Sequence, residues 1–269
     1  MMNERYYLRD KRALAYYQGS ASPEFWDQHW KIGDLRVYLE SSTDDDRFLP
    51  AVRRYLPAGS VILEGGCGRG QIVNALQYHG YRAIGIDYAG VTIERIKRAM
   101  PELDVRLGDV RNLNIEDSNL DGYISAGVIE HFWEGYFPII KEMHRTLREG
   151  GFLFISFPFM SPFRNLKASV GLYKSCLITE LEDKKSRFYQ FALSVEEVQS
   201  DLEELGFIFR EKRNCDGIKG FKDEIDILKP LLQLLYDGKL GHGLNPLLDR
   251  LFKPFASHSI LLVMQKTPN

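Results

Sequence analysis

Cysteine is scarce in this chain of 269 residues, which contains Cys67, Cys176 and Cys215. The three are far apart and none belongs to a C-x-x-C pair, so the sequence indicates neither a disulfide framework nor a metal site. Long apolar runs are also lacking: no stretch approaches about 18 uninterrupted apolar residues, and the first residues contain no apolar segment of signal-peptide length. We therefore expect a soluble, cytoplasmic protein with no transmembrane segment and no bound metal.

A strong excess of one charge is absent as well. The formal net charge is −2, which argues against an extended basic surface for nucleic acid. At this length the chain can bury a full core, as one large domain with insertions or a domain with an added cap.

The most informative stretch is residues 61–70, V-I-L-E-G-G-C-G-R-G. Three apolar residues lead into Glu64 and a run of glycines, and an apolar segment compatible with a helix follows directly. This order predicts a buried strand, a tight turn and the start of a helix, with backbone that a ligand can approach closely. Dinucleotide enzymes place glycines here as G-x-G-x-x-G, but neither register of these glycines matches that spacing. Binding of a nicotinamide cofactor is therefore the remote alternative.

Strands and helices alternate after this turn. Strand patterns end at successive turns and helix patterns end at Gly80, Pro101 and the Gly150-Gly151 pair, which predicts an α/β fold with a doubly wound, mostly parallel seven-stranded sheet. The predicted strands cover 61–63, 82–87, 105–107, 123–126, 152–157, 207–211 and 259–265. Ligands of such sheets bind outside the carboxyl ends of the strands.

Acidic residues and glycines stand at these carboxyl ends. Asp87 ends the second strand, Gly108-Asp109-Val110 follows the third, and A-G-V-I-E-H at 126–131 closes the fourth. With E-x-G-x-G-x-G at 64–70 and L-R-E-G-G-F-L-F-I-S-F-P at 147–158, this series resembles class I S-adenosylmethionine (SAM)-dependent methyltransferases of the ubiquinone-biosynthesis-like type 11/25 group. The resemblance covers the middle of the chain well and the first fifty residues hardly at all.

The cofactor implied by this resemblance is SAM, with S-adenosylhomocysteine (SAH) as product. A carboxylate at Glu64 suits the ammonium group of SAM, and one at Asp87 can accept both ribose hydroxyls. In the family, residues matching Asp109 and Val110 hold the adenine. The predicted cofactor-binding set is Glu64, Gly66, Cys67, Gly68, Asp87, Tyr88, Asp109, Val110, Gly127 and Trp30.

His131 is the candidate general base, because it follows the fourth strand at the predicted site and imidazole titrates near neutrality. The alternative is that Glu130 and His131 only order this loop or line the cofactor pocket.

Three segments stand outside the α/β pattern. Residues 1–50, rich in aromatic and charged side chains, predict a helical cap; residues 51–269 then form the SAM-binding domain. Trp26 and Trp30 share a helix face in that cap, either packing on the core or covering the cofactor. The insertion at 158–193 predicts a lid, and the one at 213–257 predicts two interrupted amphipathic helices.

We expect methyl transfer to oxygen or nitrogen of a small or medium-sized acceptor. Amino methylation of nucleic acid is disfavoured, because the A-G-V-I-E-H segment stands where such enzymes carry N/D-P-P-Y/F. The alternatives are methylation of RNA, tRNA or a protein end, and a non-catalytic protein that binds SAM or SAH. The 213–257 insertion suggests a packed cap or a homodimer contact in preference to a membrane-surface helix.

Overall fold

The computed structural model describes residues 4–31, 33–236 and 244–268. Eleven strands are defined within this part of the chain: β1 Glu4–Leu8, β2 Ala13–Tyr17, β3 Val61–Gly65, β4 Arg82–Asp87, β5 Val105–Leu107, β6 Leu120–Ala126, β7 Leu147–Pro158, β8 Lys174–Cys176, β9 Phe188–Ala192, β10 Phe207–Cys215 and β11 Ser259–Lys266.

The α-helices of the same residues are α1 Pro23–His29, α2 Leu35–Ser41, α3 Leu49–Tyr55, α4 Gln71–Tyr78, α5 Gly90–Ala99, α6 Phe137–Thr146, α7 Pro162–Ser169, α8 Val195–Glu204, α9 Gly217–Glu224, α10 Lys229–Tyr236 and α11 Leu244–Ala256. Short 3-10 helices cover Ile129–His131, Ile178–Arg187 and Asp226–Leu228. No helix among the described residues is both long and apolar enough to cross a bilayer.

A seven-stranded sheet confirms the predicted fold class. Its strand order is β10-β11-β7-β6-β3-β4-β5, and β3 pairs in parallel with both β4 and β6. The chain leaves β3 toward β4 and β5 on one side and returns to β6 and β7 on the other. The order of strands therefore reverses at β3, and the carboxyl ends of β3, β4 and β6 meet at the point where such sheets bind ligands.

The chain divides into two compact units. The larger unit comprises Ser20–Ser156, Gln199–Glu211 and Leu262–Asn269, and the smaller unit comprises Met1–Gly19, Phe157–Val198 and Lys212–Leu261. Within the smaller unit, a four-stranded sheet has the order β8-β1-β2-β9. There β1 pairs in parallel with β8, and β2 pairs antiparallel with β9.

The prediction of helices throughout residues 1–50 is wrong for residues 4–17, which form the hairpin of β1 and β2. Every residue of β2 is buried, and tyrosine favours strands when a pairing partner is available. The outer partners, β8 and β9, lie more than 150 residues further along the chain. Helices do form between 23 and 55, and Ser22 caps α1 by accepting a hydrogen bond from the Phe25 N–H at 3.2 Å.

Two further boundaries differ from prediction. The Gly150-Gly151 pair lies inside the long strand β7, because α6 already ends at Thr146. The 213–257 segment contains three α-helices rather than two, and its residues 237–243 lie outside the described part. Helix α9 packs so closely on α11 that a Cβ at Gly220 would clash with the Ala256 carbonyl oxygen.

Candidate functional site

A cleft in the larger unit opens at the carboxyl ends of β3, β4 and β6. It is lined by Trp26, Trp30, Glu64, Gly66, Cys67, Gly68, Gln71, Ile72, Asp87, Tyr88, Gly108, Asp109, Val110, Ala126, Gly127, Val128, His131 and Phe132. The structure thus brings every residue of the predicted site to one cleft. Except for Trp30, which follows α1, these residues come from a strand end or from the segment after it, so their convergence follows from the parallel sheet.

The glycine turn between β3 and α4 is held from two sides. Gly68 has a φ of +50°, which side chains other than glycine rarely adopt. Its N–H donates to Asp87 Oδ2 at 2.8 Å. On the other side, a Cβ at Gly68 would lie 3.0 Å from the Trp30 ring. The turn is therefore packed between the end of β4 and an aromatic residue that follows α1.

Glu64 presents a carboxylate to the cleft from the end of β3. Its side chain is buried, and Oε2 has no hydrogen-bond partner among the described residues. Burial raises the pKa of Glu64 well above its ordinary value, and the neighbouring carboxylates of Asp45 and Asp87 add to the rise. A buried oxygen without a partner is costly, so this atom is suited to a donor supplied by a ligand. Burial also raises the pKa of the Cys67 thiol well above its usual range.

The Asp87 carboxylate already accepts two hydrogen bonds from backbone N–H groups of the chain. Oδ1 accepts the Ala89 N–H and Oδ2 accepts the Gly68 N–H, both at 2.8 Å. Burial raises the pKa of Asp87, while these backbone donors oppose the rise. A carboxylate has about four acceptor positions, so both oxygens can still accept further hydroxyl groups from a ligand.

Asp109 is fixed by a residue that the sequence did not suggest. Arg111 donates to it through Nε at 3.0 Å and Nη2 at 2.5 Å, and these hydrogen bonds lower the pKa of the Asp109 carboxyl group. The Arg111 guanidinium also lies 5.3 Å from the centre of the Phe132 ring. The ion pair holds the Asp109 carboxylate in one orientation at the edge of the cleft.

Two tryptophans and His131 form an aromatic wall of the cleft. The Trp26 and Trp30 rings stack with centroids 5.4 Å apart, and His131 meets Trp26 edge-on at 4.9 Å. On its other side, His131 Nε2 lies 3.8 Å from Oε1 of the buried Glu130. The imidazole is thus oriented by a ring and a carboxylate, both of which belong to the larger unit.

A second cavity adjoins the cleft and shares Tyr88, His131 and Phe132 with it. Its lining is completed by Ala21, Arg111, Trp133, Glu134, Gly135 and Pro138. Tyr88 closes one side by donating from its hydroxyl to the Ala21 carbonyl at 2.7 Å. His131 therefore stands at the boundary of two spaces.

Sequence reasoning missed several residues at this site. Arg69 lies over the Trp30 and Tyr38 rings, at 5.4 and 4.5 Å, and Phe132 and Arg111 line one or both spaces. Trp26, which the sequence offered with Trp30 either as a packing residue or as a cover for the cofactor, lines the cleft. Nothing local distinguishes Arg111 from an ordinary surface arginine.

Residues 63–155 match the methyltransferase domain family of type 11. Over this segment, the chain carries a SAM-dependent methyltransferase domain, and the cofactor of that domain is SAM. The matched residues run from β3 into β7, so they contain most of the cleft just described.

Two curated relatives each match about 100 residues of this chain. One, from Mycolicibacterium smegmatis, is named as an S-adenosylmethionine-dependent methyltransferase; it is 34% identical over 101 residues, 38% of this chain and 39% of that protein. The other, from Mycobacterium ulcerans, is a phthiotriol/phenolphthiotriol dimycocerosates methyltransferase, 28% identical over 100 residues and 36% of each chain. The matched segment thus spans less than two fifths of the length of either relative.

Among solved structures, a SAM-dependent methyltransferase from Methanosarcina mazei resembles the chain with a TM-score of 0.56 and 18% sequence identity. The likeness covers 82% of this chain and 98% of that one. At this identity, the comparison establishes the fold.

Proposed function

We propose that this protein transfers the methyl group of SAM to oxygen or nitrogen of a small or medium-sized acceptor. The observation that carries the proposal is the position of His131, which lines both the cleft and the adjoining second cavity. One space then holds the cofactor and the other holds the acceptor.

The residues of the cleft suit the cofactor group by group. The unpaired Oε2 of Glu64 would accept from the ammonium group, Asp87 from the ribose hydroxyls, and Asp109 from the adenine amine, beside the Val110 backbone. Trp30 would cover the glycine turn, with Gly66, Cys67, Tyr88 and Gly127 completing the walls. When bound, SAM supplies a methyl group on a sulfonium, which is already activated for displacement.

The second cavity suits an acceptor with an apolar ring or chain, because Tyr88, Phe132 and Trp133 line it. His131 would take the proton of the attacking hydroxyl or amine, with its ring oriented by Glu130 and Trp26. The name of the Mycobacterium ulcerans relative describes its acceptor as a dimycocerosate ester of a triol, which supports oxygen as the atom methylated.

Calorimetry tests the cofactor part of the proposal. Purified protein is titrated with SAM, SAH and, as a control, NAD. We expect SAM and SAH to bind and NAD not to bind. Absence of SAM and SAH binding by folded protein would contradict the cofactor assignment.

Turnover is tested with methyl-labelled SAM and a panel of phenols, alcohols, amines and bulk tRNA. We expect label in a small acceptor, and His131→Gln should keep SAH affinity while lowering turnover by roughly 10²- to 10⁴-fold. His79→Gln, which changes a histidine outside both spaces, is the control. Label found only in tRNA would favour the alternative substrate class, and SAH binding with no transfer to any acceptor would favour a non-catalytic protein.

A further inference from the structure

Helix α11 of the smaller unit carries apolar residues on two sides. On the side that faces α9, Phe252 stacks on the Phe221 ring at 4.4 Å, Asp249 Oδ1 accepts the Ile218 N–H at 3.1 Å, and Lys253 pairs with Asp249 at 2.8 Å. A Cβ at Gly217 would lie 2.7 Å from the backbone nitrogen of Lys253, which shows how closely α9 and α11 approach each other. The opposite side of α11 presents large apolar residues to solvent.

These outward residues form one stripe. Leu247, Leu251 and Phe255 are spaced four residues apart, and their exposed fractions are 64%, 67% and 42%. Residues at this spacing share one side of a helix. A surface helix of a soluble protein normally turns such a stripe toward the core. We therefore expect a binding partner to cover the exposed stripe of α11.

Helix α7 extends the stripe. Its Phe163 ring lies 5.0 Å from the Phe255 ring, and Leu166 and Val170 follow at helical spacing with exposed fractions of 51% and 61%. We call these residues the apolar face: Leu247, Leu251 and Phe255 of α11, Phe163 and Leu166 of α7, and Val170 directly after α7. A connected exposed surface of this kind marks an interaction site in soluble proteins.

Exposed basic residues occur on or near the segments that carry the apolar face. Arg250 is exposed and, three residues after Leu247 and one before Leu251, shares the outer side of α11. Lys174 is exposed in β8, four residues after Val170 in the sequence, and Lys229 is exposed at the start of α10. Residues 162–178 and 227–236 contain no aspartate or glutamate. In 245–256 the one carboxylate, Asp249, is paired inward with Lys253.

We propose that the apolar face docks on the surface of a lipid bilayer that contains anionic headgroups. Apolar side chains would enter the boundary between headgroups and acyl chains, while Arg250, Lys174 and Lys229 contact the headgroups. A two-fold dimer through the same face would bring Arg250 of each copy near its own counterpart without a carboxylate to offset them. The charges therefore favour an anionic surface over a second copy, and the inference does not depend on the proposed methyl transfer.

Flotation with vesicles tests this inference. The full chain is mixed with vesicles of phosphatidylglycerol and phosphatidylcholine in equal parts, or of phosphatidylcholine alone. We expect binding to the anionic vesicles that weakens as salt is added. The double variant Leu247→Glu/Leu251→Glu should bind at least about tenfold more weakly, and Arg250→Glu about tenfold more weakly.

The control is Val37→Glu, a residue of α2 in the larger unit whose exposed fraction of 60% matches those of the two leucines. It should bind vesicles as the wild type does, and circular dichroism confirms that all variants are folded. Equal binding by wild type and the leucine variant, or no binding to anionic vesicles, would overturn the inference. So would a wild-type dimer in analytical ultracentrifugation that the leucine variant converts to a monomer, since the face would then bind a second copy.

Discussion

The carboxylate of Asp87 holds the backbone of Gly68, with its Oδ2 accepting the Gly68 N–H at 2.8 Å. The end of β4 and the glycine turn after β3 are thereby fixed to each other, although Gly68 and Asp87 are 19 positions apart in the sequence. The carboxylate that we propose binds the ribose therefore also holds the turn in place. Mutations at Asp87 can separate the loss of cofactor binding from the loss of stability.

Replacing Asp87 with asparagine should weaken SAH binding about tenfold or more with a modest loss of stability, because one oxygen still accepts a backbone N–H. Replacing it with alanine should also lower the free energy of unfolding, by roughly 1–3 kcal/mol for each buried N–H left unpaired. Calorimetry with SAH and urea denaturation measure the two effects. Asp104→Asn, in an exposed pair with Arg106, is the control. Equal stability losses for the asparagine and alanine variants would contradict this division.

Cofactor binding should release a proton from Glu64. Burial raises the pKa of this carboxyl well above its ordinary value, so the side chain is protonated at pH values where an exposed glutamate is charged. A cationic ammonium group favours the carboxylate form, and SAH affinity should therefore rise with pH, by up to about tenfold per unit below the raised pKa.

The proton release is measured by titrating SAH in two buffers of different ionisation enthalpy. Glu64→Gln should bind SAH more weakly and lose this buffer dependence. If the variant keeps the same dependence, another group releases the proton.

Glu224 and Arg164 should stabilise the smaller unit strongly. Both side chains are 1% exposed, and Arg164 Nε donates to Glu224 Oε1 at 3.0 Å. Lys167 and Tyr173 donate to Oε2 of the same carboxylate, at 2.8 and 2.6 Å. Arg164→Met should lower the free energy of unfolding by roughly 3–5 kcal/mol. Arg36→Met, which breaks an exposed pair with Glu40, should cost about 1 kcal/mol or less.

The same pair predicts a pH dependence. Burial alone would raise the pKa of Glu224, but Arg164 and Arg5 outweigh it, and the pKa lies below its ordinary value of 4.5. A carboxyl with a lowered pKa in the folded state contributes full stability above its ordinary pKa and loses it as the pH falls through the folded value. Wild type should therefore lose more stability than Glu224→Gln when denaturation is repeated at acidic pH. A parallel loss in both proteins would contradict the assignment.

Gly220→Ala should destabilise the contact between α9 and α11. The added methyl group would clash with the Ala256 carbonyl oxygen and lie 2.5 Å from the His258 nitrogen. Both are backbone atoms that cannot rotate away, so we expect a loss of roughly 1–3 kcal/mol or more in urea denaturation. Gly33→Ala is the matched control, because no described atom lies within 4 Å of its added Cβ. Unchanged stability of Gly220→Ala would show that the helices can separate.

The larger unit could be predicted from sequence because its signals are local. Residues 61–70 specify strand, turn and helix within one short stretch, and Asp87 and Asp109 follow strand patterns that are readable on their own. Because the strands are parallel, their carboxyl ends lie at the same edge of the sheet, and this predicts the position of the cleft.

What could not be predicted depends on distant pairing. Tyr6 and Tyr7 become part of a strand because β8 lies beside them, and nothing in residues 4–17 reveals that neighbour. Arg111 acquires its importance from the position of the Asp109 carboxylate in space. Similarly, the pattern of leucines in α11 predicts an amphipathic helix but not which side faces α9.

The four-stranded sheet also constrains the order of events during synthesis. The strands β1 and β2 are synthesised first. Their outer edges stay unpaired until β8 and β9 are made, because Tyr6 pairs with Lys174 and Leu14 pairs with Ala192. A two-stranded ribbon is only marginally stable in water, and its open edges can pair with other chains. Until the ribosome has completed β8 and β9, residues 4–17 therefore expose strand edges that are prone to aggregation.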